Sequence, residues 1–485
     1  MSSLEELKRV RREKLAKIKS GGLNPYPAVS KRAFSNADAT ADFSAISASG
    51  KAVTLSGRIL ALRPQGALIF VSFSDGTATF QALLKKGDTP AGALSLFSEV
   101  ADIGDFADFT GALFETKRGE KTILVSSWAM LGKSLLPLPE KWHGLEDQEE
   151  KLRKRYLDLL FAPELKAIFL RKQKFWDVTR EFLKDDGFLE VETPTLEFTT
   201  GGAEARPFKT HHHDFDMDLY LRISVGELWQ KRLMAAGFPK TFEIGRVYRN
   251  EGTSAEHLQE FTNVEFYSAY WSNIEGMAFV KELYQTIAKK VYGRTKFGVK
   301  DSEFDLAGDW PLVDYADEVR RQTGLDVFSD SDQKIRNKLD ELKVSYKGEN
   351  RERLIDTLWK YCRKNIAGPA FLVGHPVIVS PLAKLDPKDQ RKTLMFQPLI
   401  AGSEVGRGYA ELNDPAEQRA RFEEQKKFLE AGDEEAMMPD FEFVEMLEHG
   451  MPPTCGFGFG ERLFALLENR PIREVTLFPL VRPKI

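Results

Sequence analysis

Cysteine is nearly missing from this sequence: Cys362 and Cys455 are the two in 485 residues. So sparse a pair builds no disulfide framework, and neither lies at metal-ligand spacing, so reduced thiols in a cytoplasmic protein are expected. A basic excess is missing too, since 69 Lys and Arg stand against 73 Asp and Glu, for a formal charge of −4. Any contact with nucleic acid must therefore come from a local patch rather than from the field of the whole molecule. No apolar run reaches the length of a membrane span, and the N-terminus lacks the hydrophobic core of a secretory signal. What is present, 42% hydrophobic and 29% charged residues, suits a globular protein of more than one domain with a large buried core.

The first stretch, "SLEELKRVRREKLAKIKSGGLNPYP", places Leu4, Leu7, Leu15 and Ile18 near helical spacing among many basic residues. It reads as an amphipathic helix or as a phosphate-contacting arm. Residues 1–50 form this lead-in. Short alternating runs follow over 51–137, with Asp75-Gly76 and Arg118-Gly119 at hairpin positions. About five strands in so short a span suit an OB-fold barrel, which binds single-stranded nucleic acid by stacking. Prolines and a dense charge run mark 138–160 as a linker into a helix. The remainder, 161–485, mixes helices and strands without repeats. It reads as one large α+β domain with inserted helices around 310–365.

Two stretches of that domain carry chemistry. In "CGFGFGERLFALL" three glycines, Gly456, Gly458 and Gly460, alternate with Phe457 and Phe459. As a strand this has one aromatic face and one face stripped to hydrogens, where backbone can approach a ligand closely. Close helix packing or a bulge is the other reading. In "TFEIGRVYRNEGTSAEHLQEFTNVEFYSAYW" two β-rich runs flank a polar loop, predicting a long hairpin with Arg249 and Glu251 near its tip. On the returning strand Phe261, Asn263, Glu265 and Tyr267 share a face. A carboxylate and a phenol among apolar neighbours point to a built site.

These segments resemble known motifs. "FEIGRVYRNEG" through "EFTNVEFY" is similar to motif 2 of the class II aminoacyl-tRNA synthetases, "GFGFGERLFALL" to their motif 3 and "GFLEVETPTLE" to motif 1. "GGAEARPFKTHHHDFDMDLYLRIS" and "GYAELNDPAEQRARFEEQ" resemble the lysine-specific branch, and the likeness covers nearly the whole chain. It implies an α+β fold, an N-terminal OB-fold barrel followed by an antiparallel-sheet catalytic domain. The implied activity is ATP-dependent formation of lysyl-adenylate from L-lysine, then transfer to the 3′ end of tRNA(Lys), in a homodimer built through motif 1 around Pro194.

The resemblance also implies residue roles. Arg249 and Arg462 are the catalytic cations, Arg249 bridging substrate carboxylate and α-phosphate. Glu251, His257, Phe261, Gly458 and Gly460 complete the ATP site. Gly202, Glu227, Glu265, Tyr267, Arg407 and Glu411 make the lysine site, with Glu411 taking the ε-ammonium and Tyr267 as its hydroxyl partner. Glu404 and Gln397 stand at the magnesium positions, the amide where bacterial relatives commonly have glutamate. Arg407 and Glu256 also depart from the family pattern. Phe70 and Gln81 match anticodon readers in the barrel, with Ser127 at a third position. A protein-lysylating paralogue, a silent nucleic-acid-binding regulator and an aspartyl- or asparaginyl-type enzyme are the alternatives; the barrel, the retained arginines and Glu411 with Tyr267 respectively count against them.

Overall fold

The computed structural model describes residues 4–139, 147–202, 205–299, 302–346, 350–432 and 436–484, and the chain divides into two units, 1–146 and 147–485. In the first, β1 (Val53–Gln65), β2 (Leu68–Ser74), β3 (Thr79–Lys85), β4 (Phe106–Glu115) and β5 (Lys121–Gly132) close into a barrel in the order β1-β2-β3-β5-β4. Gly76 and Gly119 make the expected turns at φ of 92° and 82°, which a side chain would strain. Alternation then sorts the strands: Val71, Phe73, Phe80, Ala82 and Leu84 fill the interior, and Phe70, Ser72 and Gln81 fall on the outer face. The basic N-terminal helix, Leu4–Ser20, is docked rather than solvated. Its Arg11 is buried and donates to the carbonyls of Ile103, Ser134 and Leu136, while Ile18 packs with Val100 and Met130. Of the expected linker, residues 140–146 lie outside the described residues, and the rest forms the short helices Gln148–Arg153 and Arg155–Phe161.

The second unit is organised by one large sheet. Its centre is antiparallel, running Lys240–Tyr248, Glu260–Ala269, Thr454–Gly460, Arg407–Ala410, Met395–Ile400 and Ala370–Val373, with short parallel strands Leu189–Glu190 and Leu312–Asp314 at the edges. One face is aromatic. Phe457 stacks on Phe396 at 5.7 Å, and Phe459 meets Tyr284 at 5.4 Å and Phe175 at 6.2 Å. Each such ring, fully buried, contributes about 1.5–3 kcal/mol. The long helix Pro163–Asp185 and the helix Asn273–Ile287 cover this face. Gly187, at φ 82°, ends the first, and a Ser272–Glu275 capping box starts the second. Three helices, Tyr315–Thr323, Asp332–Glu341 and Arg351–Cys362, make the insertion with a core of their own. The opposite face of the sheet is thereby left to the glycines.

Candidate active site

Cross-strand partners share a face of a sheet. Gly460, Gly458 and Gly456 pair with Asn263, Glu265 and Tyr267 on one side, and Gly458 and Gly456 pair with Arg407 and Tyr409 on the other. The bare stripe is thus the floor of a trough between two rows of polar side chains. A Cβ at Gly458 would come within 2.8 Å of the Glu265 Cγ, and one at Gly460 within 3.4 Å of the Phe261 ring. At Gly456 it would overlap both Glu411 and the Tyr267 ring. Glycine here keeps the floor low and also admits the flanking groups.

The Gly456 end is acidic. Glu227, Glu265 and Glu411 are all buried, and Glu227 and Glu411 converge on one buried cation, Lys231. Lys231 Nζ lies 2.9 Å from Glu227 Oε1 and 2.5 Å from Glu411 Oε2, within 6.0 Å of the Tyr267, Tyr409 and Phe443 rings. Burial pulls this ammonium down, but Glu227 and Glu411 more than offset it, so it is held above its ordinary value. The Tyr409 hydroxyl donates to Glu227. Tyr267, expected as the partner of Glu411, instead donates to Glu265 Oε2 at 3.0 Å, its neighbour two residues back on the same strand face. Asn263 Nδ2 and the Val225 N–H also donate to Glu265. Burial, aided by Glu227, nonetheless pushes Glu265 up to about 7. Burial likewise pushes Glu411 up to about 8, Lys231 opposing and Glu227 adding. Lys231 approaches Glu411 off the hydrogen-bonding direction, and neither Glu411 oxygen has an aligned partner among the described residues. Gly202, at φ 88°, stands where a Cβ would come within 2.5 Å of Glu227 Oε2, so its backbone and that carboxylate are adjacent.

Lys231 and Tyr409 were not foreseen. For Lys231 a signal existed, since Glu227 and Lys231 are four apart at the start of the helix Glu227–Ala235, glutamate first.

The other end of the trough is cationic. Arg249 follows the strand Lys240–Tyr248, donates from Nε and Nη2 to the Ile223 carbonyl at 3.2 Å, and lies 5.4 Å from the Phe261 ring centre. The hairpin is closed around it, because the Arg249 N–H donates to the Gln259 carbonyl and Gln259 Nε2 to that of Glu251. Burial pulls the Arg249 guanidinium down, with the charges of Arg407 and Arg462 adding and Glu251 opposing. Arg462 emerges where the glycine strand becomes a helix. Its Nη2 is 3.1 Å from His257 Nε2, and its Nε 4.0 Å from Glu256 Oε2. Glu256, a departure from the family pattern, is therefore a counter-charge to Arg462, and Arg407 stands on the glycine face opposite Gly458. Three guanidinium groups around a glycine floor form a receptor for a polyanion.

Glu404 lies near this cationic end, and its Oε1 accepts from Trp359 Nε1 at 2.6 Å. Burial would raise Glu404, but Arg363 and that bond hold it below the ordinary carboxylate value. Gln397 is buried and its Oε1 is 2.8 Å from His375 Nε2. Among the described residues no group of three metal-binding side chains gathers anywhere. The donors fit a magnesium ion that keeps most of its ligands from phosphate and water, with one carboxylate from the protein; Gln397, turned to its histidine, adds no charge. In the barrel, the outward Gln81 bonds Thr122 Oγ1 at 2.9 Å and Arg63 at 3.3 Å, and Phe70 lies half-buried on the same face. Ser127 is exposed on β5.

A family model described as tRNA synthetases class II (D, K and N) matches residues 147–482, and one for the OB-fold nucleic acid binding domain matches 53–131. Over 487 residues the chain is 40% identical to the lysine–tRNA ligase of Thermotoga maritima, covering 99% of this chain and 97% of that one. It is 40% identical to that of Roseiflexus sp. strain RS-1, with 99% of both covered. The chain belongs to the lysine–tRNA ligase family. Membership agrees with the fold: an OB-fold barrel, then an antiparallel sheet carrying the class II motifs, in an ATP-dependent aminoacyl-tRNA ligase. No described helix is long and apolar enough to cross a membrane.

Proposed function

We propose that the chain activates L-lysine with ATP and transfers it to the 3′ end of tRNA(Lys). The observation that carries this reading is Glu411, 2% exposed, its oxygens without aligned partners at the end of the glycine stripe. Lys231 meets one of its oxygens off the hydrogen-bonding direction, so the carboxyl keeps capacity for a further donor, and the ε-ammonium of lysine supplies one. Glu227 and the backbone at Gly202 take the α-ammonium, and Glu265 and Tyr267 wall the pocket. The substrate carboxylate then points along the floor toward Arg249, which bridges it to the α-phosphate. Phe261 stacks on the adenine over Gly458 and Gly460, Glu251 accepts from its amino group, and Arg462 and His257 hold the outer phosphates. Arg407 adds a cation beside the substrate carboxylate.

A carboxylate oxygen of lysine attacks the α-phosphorus, the bond to the leaving oxygen breaks, and pyrophosphate departs. Bringing two anions together and stabilising the charge that grows between them needs fixed cations rather than a nucleophile, and Arg249, Arg407 and Arg462 supply them. Glu404, with Gln397 beside it, would hold magnesium, which supplies charge neutralisation of the triphosphate when bound. The terminal ribose hydroxyl of tRNA next attacks the lysyl carbonyl and AMP leaves. Phe70 and Gln81, outward on the barrel, read the anticodon by stacking and edge contacts. The boundaries follow the chemistry: a lead-in to residue 50, an anticodon barrel over 51–137, a linker to 160 and a catalytic domain over 161–485. A cytoplasmic homodimer is the working form, and exposed Leu189, Leu196 and Phe198 beside Pro194 supply apolar surface for it. The test is pyrophosphate exchange driven by each amino acid in turn. Exchange with lysine alone is expected; exchange with aspartate or with none would overturn the reading.

A further inference from the structure

Buried charges are ordinarily matched one to one, because an unmatched one is strongly destabilising. The acidic end of the trough departs from that. Glu227, Glu265 and Glu411 are each at most 6% exposed, and among the described residues Lys231, 1% exposed, is the one cation that bridges two of them, Glu227 and Glu411. Three buried carboxyl groups thus share one ammonium, and lysine carries two more.

The placement of Lys231 is as informative as its charge. Glu227 opens the helix Glu227–Ala235 and Lys231 stands one turn later, so their spacing is fixed by the helix. Glu411 comes from the far side of the trough, past the strand Arg407–Ala410. Lys231 is therefore the link between an acid on a helix and an acid beyond a strand. The rings of Tyr267, Tyr409 and Phe443 lie around its ammonium, 5.3–6.0 Å from it. It engages one oxygen of Glu411 and leaves the other toward Gly456.

We infer that Lys231 is a positioning residue for substrate selection: its ammonium sets the distance between the two carboxylates that read the ends of the amino acid, and so the chain length accepted. This rests on the assignment of Glu227 and Glu411 to the two ammonium groups of lysine. The resident cation bridges both acids and holds them spaced before substrate arrives. A substrate one methylene shorter then reaches only one of them. Without the resident cation nothing bridges the helix acid to the acid beyond the strand, and the spacing relaxes.

The experiment is pyrophosphate exchange by the full-length protein and by Lys231→Met, which keeps the volume and removes the charge, with lysine and with ornithine. The wild type exchanging with lysine establishes the underlying reading; failure there sinks that reading and this inference with it. Given that exchange, Lys231→Met should raise the lysine KM at least tenfold and lower the lysine-over-ornithine ratio at least tenfold. The ATP KM and the kcat at saturating lysine should stay within about threefold, which a general loosening of the fold would not allow. If Lys231→Met does not fold, by thermal melting, Lys231→Gln serves, with the same direction expected. An unchanged lysine KM and ornithine ratio in a folded variant, or a parallel loss in ATP KM and kcat, would overturn the inference.

Discussion

Glu411 carries the most chemistry for its size. Glu411→Gln removes the charge while keeping the shape, and losing one partner of a buried charge pair costs about 3–5 kcal/mol, so the lysine KM should rise by about a hundredfold or more. The ATP KM should hardly move, and a lysine KM unchanged in exchange kinetics would remove Glu411 from the pocket. A pH dependence follows from the same group. Its carboxyl sits at about 8 in the folded protein against an ordinary 4.5, so the folded state holds the proton more tightly than the unfolded one. The stability tied to that proton is fully present below 4.5 and is lost as pH rises through about 8. Melting temperatures of the ligand-free protein should therefore fall across that window, with a flatter slope for Glu411→Gln; parallel slopes in calorimetry would deny the shift.

At the scale of elements the glycine strand is the informative piece, because its two ends touch different things. Gly456 abuts Glu411 and the Tyr267 ring, whereas Gly460 abuts Asn263 and Phe261. An added methyl in a packed site costs about 1–3 kcal/mol, or about ten- to a hundredfold in an equilibrium. Gly456→Ala should spend that on lysine affinity and Gly460→Ala on ATP affinity, as separate KM measurements will read; equal effects of both on both substrates would mean that the strand is merely packed. In the barrel, alternation puts Phe70 outward, opposite in sense to Val71 and Phe73. Phe70→Ala should slow tRNA charging by about tenfold, the loss of one stacked base at about 1–3 kcal/mol, while sparing lysine-driven exchange. Loss in both assays would return Phe70 to a structural role.

For the whole molecule, the surface around motif 1 is the feature that a lone chain leaves unexplained. Leu189, Leu196 and Phe198 are 48–61% exposed within ten residues of one another, an arrangement that suits a second copy across a symmetric contact. Sedimentation at working concentration should report twice the chain's 55.0 kDa. A charged residue in place of Phe198 should shift it toward the monomer; a wild-type monomer would overturn the dimer.

Much of this protein was legible in one dimension. Alternating glycine and phenylalanine determine a strand with one bare face, hairpin glycines determine a barrel, and Gly187 ends a helix, because each is a local consequence of backbone geometry and side-chain period. Arg249, Glu265 and Glu411 were singled out through motif resemblance. Their partners were not. That Glu256 faces Arg462 and that Lys231 joins Glu227 to Glu411 across the trough are matters of which elements lie side by side, and that the Tyr267 hydroxyl turns to Glu265 on its own strand rather than to Glu411 depends on how the side chains pack there. Charge pairing in a dry interior depends on distances of a few ångströms between groups as distant in the chain as Glu256 and Arg462, and only the tertiary structure decides those.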